Sequence, residues 1–437
     1  MDSHKIANQV RGVFVGPIEI AGFGTSLVAG LRQIGIRSEA IDVSGNRFRY
    51  VERLGDKGFA KWINTVAHGL GSTKAGHWVL WKLGFNWMLR GIVLLRALFL
   101  FDVFVFVYGR TLLPGLLDLW LLKLLKKKTV FVFLGSDSRP LILNGAYLST
   151  IDWLQTPEAR RKLLKRQIKM SACLLRIDRL ADIVIDSPLS GHSHSRWCAN
   201  WFKFGFPYAV PVTTEPFPEM DILRILHAPS KAAYKGTQLI REAVQRAQAA
   251  GIPIYFEELS NQPNHEVIEA IKRCHLVIDE LYSDTGLAGF GVEAASQGKI
   301  VVVGGEQWDQ VDAWMGESPS FPSVRVRADQ IEETLHKLWD DRANLPRLAS
   351  AHHKFMLENW DAQVVAARLV SWVTNGVPEA ARFLPSELDS LKGMGAPANV
   401  IEAALRAMLE SVPPSCLGFR AGTMGARALD ELKASPG

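Results

Sequence analysis

Short, unbroken apolar runs alternate with longer stretches of helical period along most of the 437 residues. GVFVG (12–16) is followed by a glycine loop, PIEIAGFGT, and by the periodic segment SLVAGLRQIG, which Gly35 is placed to stop. RSEAIDV (37–43) predicts a second strand, and residues 56–100 read as helical. FDVFVFVYG (101–109) and KTVFVFLG (128–135) are rich in Val and Phe and predict buried strands. Between them, LLPGLLDLWLLKLLKKK reads as an amphipathic helix whose lysines suit a helix C-terminus. A long basic helix over 157–181 leads into the strand DIVID. Such alternation predicts an α/β fold with a doubly wound parallel sheet, here over residues 1–206.

Pro207, Pro211, Pro216 and Pro218 crowd the next segment and predict a linker over 207–221. The alternation then restarts. LRILHAP, IPIYFEEL, HLVIDEL and KIVVVGG read as strands, and TQLIREAVQRAQAAG, NHEVIEAIKRC and VEAASQG as helices, giving a second α/β domain over 222–354. Residues 355–375 read as one long helix. The extension 377–437 is weakly patterned, and its last stretch, from Ser411, is expected to be partly mobile.

Composition changes this picture little, but charge distribution adds to it. Apolar residues are 48% and charged residues 22%, an ordinary globular balance that excludes whole-chain disorder. Residues 1–210 hold 29 Lys/Arg against 14 Asp/Glu, and the remainder 21 against 30, so the halves carry +15 and −9. The basic half favours anionic partners, an acidic membrane surface among them, or is simply a solvated face. The cysteines, Cys173, Cys198, Cys274 and Cys416, form no CxxC pair, which fits a reducing compartment better than a disulfide framework or a zinc site. The opening MDSHKIANQVRG offers no apolar core for a signal peptide. Arg96 and Asp102 interrupt the apolar stretch 91–109, which argues against a spanning helix. A cytoplasmic protein, peripheral on the inner face of the membrane, is the expectation.

Ligands of open α/β sheets bind beyond the carboxyl ends of the strands, and four motifs fall there. After LRIL comes HAPSKAAYKGT, with Ser230, Lys235, Gly236 and Thr237. Lys235 can set a cation on a diphosphate beside helix N-terminal N–H groups, or be a surface lysine next to a cap. After HLVIDEL comes a loop with Asp284, Thr285, Gly289, Phe290 and Gly291, then Glu293 in the first helical turn. Its glycines permit close backbone approach, and Glu293 can accept ribose hydroxyls or simply favour the helix start. After the first strand, the Gly22-Phe23-Gly24 loop can cradle a phosphate or form a structural βα turn. After KTVFVF, the segment LGSDSRP carries Ser136, Asp137 and Arg139, which suit a sugar or acceptor, or a local Asx turn.

Other motifs are weaker. His192 and His194 form an HxH pair with no ligand cluster near them in sequence, so a surface loop is expected rather than a metal site. The aromatic run Trp197, Trp201, Phe202, Phe204 and Phe206 reads as packing, since no nucleic-acid module accompanies it. DLWLLKLLKKK and the basic helix at 159–169 fit either an anionic bilayer or a sheet-packed helix with one wet face.

HAPSKAAYKGT, HLVIDEL and GFGVEAASQGKIVVV resemble the donor-binding domain of family 4 (group 1) retaining glycosyltransferases, which have the GT-B fold. GPIEIAGFGTSLVAGLRQIGI and FVFLGSDSRP resemble the matching N-terminal domain, and the likeness covers most of residues 11–375. The resemblance implies two Rossmann-like domains facing across a cleft, with the 355–376 helix crossing back to the first. It implies a nucleotide-diphospho-sugar donor, a glycan or lipid-linked acceptor, transfer with retention, and neither metal nor other cofactor. Lys235 would contact the diphosphate, Glu293 the ribose, and the Gly22–Gly24 loop the phosphate or acceptor. Two positions depart from the family. Thr285, with Asp284 beside it, stands where the first of two glutamates is usual, and Leu134 where a histidine is frequent. Asp137 and Asp284 are then the carboxylates left near the reaction centre. The departures motivate a second reading, a non-catalytic GT-B protein that binds a nucleotide sugar as scaffold or regulator. A GT-B nucleotide-sugar epimerase is a third.

Overall fold

The computed structural model describes residues 10–44, 58–72, 79–143, 156–260, 262–283, 285–388, 391, 398–410 and 412–435. The chain divides into two compact units. Unit 1 is Met1–Ser138, Lys169–Ala209 and Trp360–Pro385; unit 2 is Arg139–Ile168, Val210–Asn359 and Ser386–Gly437.

Unit 1 is built on a seven-stranded sheet in the order β12-β6-β5-β4-β3-β1-β2. Its strands are β1 (Val13–Gly16), β2 (Ser38–Ala40), β3 (Val103–Val107), β4 (Lys128–Val132), β5 (Ile183–Asp186), β6 (Cys198–Asn200) and β12 (Arg382–Phe383). All pairings are parallel except β12 with β6. β3 is VFVFV and buried throughout, as a central parallel strand covered on both faces must be. Phe14, Phe101, Phe104, Phe106, Phe131 and Phe133 form its aromatic core in tilted and stacked pairs.

The helices here are α1 (Phe23–Gln33), α2 (Phe59–Ser72), α3 (Val79–Leu100), α4 (Leu117–Leu124), the part of α5 (Pro157–Leu180) from Lys169 onward, and the short α6 (Trp201–Phe204). α1 crosses from β1 to β2 and packs on both, and α4 crosses from β3 to β4 and packs on β4. α1 also packs against the helix Ala362–Asn375 so tightly that a Cβ at Gly30 would lie 1.9 Å from the carbonyl oxygen of Ala362. The aromatic run near residue 200 is packing, as expected: Trp201, Phe202, Phe204 and Phe206 are buried.

Unit 2 carries a five-stranded, all-parallel sheet in the order β11-β10-β9-β7-β8. The strands are β7 (Leu223–His227), β8 (Ile254–Glu258), β9 (Leu276–Ile278), β10 (Ile300–Gly304) and β11 (Val324–Val326). The helices between and after them are α7 (Ala232–Lys235), α8 (Thr237–Ala249), α9 (Asn264–Arg273), α10 (Gly289–Ser296), α11 (Trp308–Met315), α12 (Ile331–Asp340) and α13 (Leu345–Phe355). Ile225, Ile240, Val244, Leu276, Ile278 and Val302 lie at the centre of its core. The fold is thus α/β, with two separate doubly wound parallel sheets.

Two expectations need correction. The single helix over 355–375 is broken: α13 ends at Phe355, a π turn covers Met356–Trp360, and α14 (Ala362–Asn375) starts anew. Asp361 leaves the helical region (φ −54°, ψ 142°), and its side chain accepts from the N–H of Gln363. Tyr208 makes the break worthwhile. Its N–H donates to Trp360 O at 3.1 Å and its carbonyl accepts from Ala362 N at 2.7 Å, so the freed backbone groups are satisfied. The weakly patterned extension carries two helices, α15 (Ala398–Leu409) and α16 (Met424–Ala434). Finally, the helix drawn over 112–128 is shorter, because the chain turns left-handed at Leu116 and Lys126.

Candidate functional site

In unit 2, two of the expected motifs meet at the carboxyl edge of the sheet. β7 ends at His227 and passes through α7 to Gly236, which adopts φ +72°. A side chain there would be strained and would also meet Leu281 at 2.8 Å, so glycine is required. This turn brings Lys235 over the end of β9. Its Nζ lies 3.0 Å from Asp279 Oδ1 and 2.5 Å from Glu280 Oε2. The other oxygen of Asp279 accepts from the N–H of Gly291, 3.0 Å away in the first turn of α10. Lysine, acid pair and glycine helix therefore form one cluster. Burial alone would favour the neutral amine. The charges of Asp279 and Glu280 outweigh it and hold Lys235 above the ordinary lysine value.

The neighbouring residues are tied in by definite bonds. His227 is fully buried and its pKa is lowered, chiefly by burial. The neutral ring donates from Nδ1 to Ile278 O at 2.7 Å and accepts at Nε2 from the Thr237 hydroxyl at 2.8 Å. Thr237 thus braces the strand end. Glu293 is buried and accepts from Asn264 Nδ2 at 2.7 Å. Gly289 and Phe290 open α10 and are half-buried, while Ser230 is exposed on the loop before α7. Thr285 is locked in a tight turn with Ser283, whose hydroxyl donates to its carbonyl at 2.8 Å. Asp284 lies outside the described residues.

In unit 1, the glycine loop after β1 is closed by Glu19, which lies outside the candidate residues of the motif. Glu19 is buried and accepts from Gly24 N at 3.2 Å, Thr25 N at 2.7 Å and Thr25 Oγ1 at 2.7 Å. Its carboxylate takes the first amides of α1, where an anion was expected to sit. Phe23 points into the core, edge-on to Phe206. Burial, with a smaller push from Asp42, raises Glu19 to about 7 despite the Thr25 and Gly24 bonds. In the loop after β4, Asp137 accepts from Leu134 N at 3.0 Å, an Asx-type closure, and the exposed Ser136 meets the Tyr108 hydroxyl at 2.9 Å. Arg139 is buried.

The HxH pair corrects another expectation. His192 and His194 are not on a surface loop: both are buried. His194 sits between Asp178 (Nδ1 to Oδ1, 2.7 Å) and Asp186 (Nε2 to Oδ2, 3.0 Å), so both ring nitrogens face acceptors and the ring is an imidazolium. Burial pulls its pKa down, but the bonds and charges of Asp178 and then Asp186 lift it to about 9. Asp186 ends β5 and also accepts from Ser138 Oγ and Ser187 N. The sequence hides this because its partners lie 16 and 8 residues upstream. Among the described residues, no group of three or more His, Cys, Asp or Glu could hold a metal ion.

No protein-family model matches the chain, and no curated protein matches it. Several solved structures do. The Anabaena protein Alr3699/HepE, in complex with UDP and glucose, is 10% identical, with a TM-score of 0.46 over 83% of this chain and 98% of that one. A glycosyltransferase from Rickettsia africae is 10% identical, with a TM-score of 0.48 over 84% and 98%. The glycosyltransferase SnogD from Streptomyces nogalater is 17% identical, with a TM-score of 0.40 over 83% and 99%.

Proposed function

We propose that the chain is a glycosyltransferase of the GT-B class that takes a sugar from a nucleotide diphosphate, with retention and without a metal ion, and passes it to a glycan or lipid-linked acceptor. The observation that carries the reading is the convergence of Lys235, the Asp279–Glu280 pair and the start of α10 at one strand edge of unit 2. The diphosphate replaces Glu280 as partner of the Lys235 ammonium, while Asp279 keeps the amine aimed. The opening amides of α10, at Gly289 and Phe290, lie at the helix end that favours negative charge. Glu293, one turn further on, is the ribose acceptor. Charge growing on the leaving diphosphate is then stabilised by groups already in place. In unit 1, Asp137 and Ser136 serve the acceptor side.

A second reading, nucleotide-sugar binding without transfer, is favoured by one feature. The N-termini of α1 and α10 are both met by the protein's own carboxylates, Glu19 and Asp279. Assays of donor hydrolysis and transfer over a panel of UDP-, GDP- and ADP-sugars separate the two. Turnover that disappears in Lys235→Ala supports the transferase. Binding with no turnover over the whole panel supports the second reading, and interconversion of the donor sugar without acceptor would instead mark an epimerase.

A further inference from the structure

α3 is apolar on two faces, and the described residues cover only one. Leu89, Val93 and Ala97 are buried beneath it. On the other side Met88, Ile92, Leu95 and Phe99 recur at helical spacing within an arc of about 60°, and Phe99 is 74% exposed. The neighbouring α4 repeats the pattern. Leu119 and Leu122 are buried, while Leu117, Trp120 and Leu124 lie outward, Leu124 at 78% exposure. The helices end side by side, since Lys127 Nζ reaches Phe101 O at 2.7 Å. Two adjacent stripes make a contiguous apolar surface of the kind that marks an interaction site.

Charge identifies the occupant. α3 contains no acidic residue, and the only acid in 117–128, Asp118, is fully buried. The exposed charges bordering the stripe are Lys123, Lys126 and Lys128. Lys123 Nζ touches Arg179 O, which places the end of α5 next in line. There Lys169, Arg176 and Arg179 are exposed, while Asp178 is turned inward onto His194. Asp102 and Asp182 pair with Lys127 and Lys128, so the border is not free of acids, but cations outnumber them. Large apolar side chains with a net-cationic fringe match the acyl–headgroup boundary of an anionic bilayer. No described helix is long and apolar enough to cross a membrane, so the contact lies in the interface plane.

We propose that the α3–α4 face of unit 1, with its lysine and arginine fringe, docks the protein on an anionic lipid surface. The inference is independent of the nucleotide site in unit 2. Co-sedimentation of the full chain with phosphatidylcholine vesicles, with and without about one-third phosphatidylglycerol, tests it. The full chain should pellet with the anionic vesicles and hardly with the neutral ones. Leu95→Ser/Phe99→Ser/Trp120→Ser/Leu124→Ser should stay in the supernatant. Lys123→Glu/Lys126→Glu/Lys128→Glu should lose on the order of a hundredfold in partitioning. Unchanged melting temperatures keep both variants interpretable, and if the serine variant unfolds, the lysine variant alone decides. Equal binding to neutral vesicles, binding to neither, or undiminished binding of the variants overturns the proposal. So does a dimer of the parent chain that the serine variant turns into monomer without any vesicle binding, since the face would then pair two copies.

Discussion

Both units close a helix N-terminus with a carboxylate of their own, and they differ in how its charge is met. In unit 1, Glu19 reaches the start of α1 with hydrogen bonds from Thr25 and Gly24, and burial pushes it up to about 7. In unit 2, Asp279 reaches the start of α10 with Lys235 against its other oxygen. The same backbone device is therefore poised to lose its charge near neutrality in one unit and held as part of an ion cluster in the other. A helix N-terminus alone does not make a phosphate site. The cation beside it makes unit 2 the better candidate for holding a nucleotide.

The largest test of this contrast removes the shared acid of unit 2. Asp279→Ala leaves the Gly291 amide without its acceptor and Lys235 with Glu280 alone, and should cost about 3 kcal/mol in urea unfolding. A loss below about 1 kcal/mol would show that the cluster is not integrated into the fold.

In unit 1 the corresponding experiment is a pH titration. The folded pKa of Glu19 is raised, so its stability contribution is complete below its ordinary value of 4.5 and is lost as pH rises through about 7. That shift is worth about 3 kcal/mol. Glu19→Gln should flatten stability over this window, and an unchanged profile would break the assignment. His194 acts over the next window. Its contribution is complete below 6.5 and is lost as pH rises through about 9, again by roughly 3 kcal/mol. His194→Gln should erase the alkaline part of the curve. Over the acid range a third buried group acts oppositely. Burial holds His352 down at about 4, so the fold loses stability as pH falls from 6.5 toward that value.

Packing gives a smaller effect. Gly30→Ala drives a methyl into the Ala362 carbonyl and should cost about 1–3 kcal/mol. The smallest expected change is the most specific. Glu280→Gln removes the carboxylate that competes with a ligand for Lys235 and should tighten nucleotide binding about fivefold, roughly 1 kcal/mol. Weaker binding would mean that Glu280 supports the ligand rather than yielding to it.

Much of the fold was legible because central parallel strands are short runs of β-branched and aromatic residues; β1, β3, β4, β5 and β10 all stand out this way. β6, β11 and β12 did not, being two or three residues long with polar or charged members such as Asn200, Arg325 and Arg382. The break at Asp361 was hidden because the apolar periods of α13 and α14 run on through it. At the site, Lys235 and Gly291 were visible as motifs, and the structure joins them through Asp279. That acid and Glu280 directly follow β9 as the ordinary-looking pair in HLVIDEL. Glu19 and the His194 cluster escaped for a different reason. A buried carboxylate or imidazole is defined by its partners, and those come from other turns and strands.

The central claim is that Lys235 belongs to a nucleotide diphosphate site. Calorimetric titration of UDP, GDP, ADP and their sugars into the parent chain and into Lys235→Ala tests it most directly, with the melting temperature of each protein as the fold control. One nucleotide should bind the parent chain and lose at least about tenfold, roughly 1.4 kcal/mol, in a folded Lys235→Ala. Equal affinity for the two proteins, or no binding of any nucleotide to the parent chain, would contradict it.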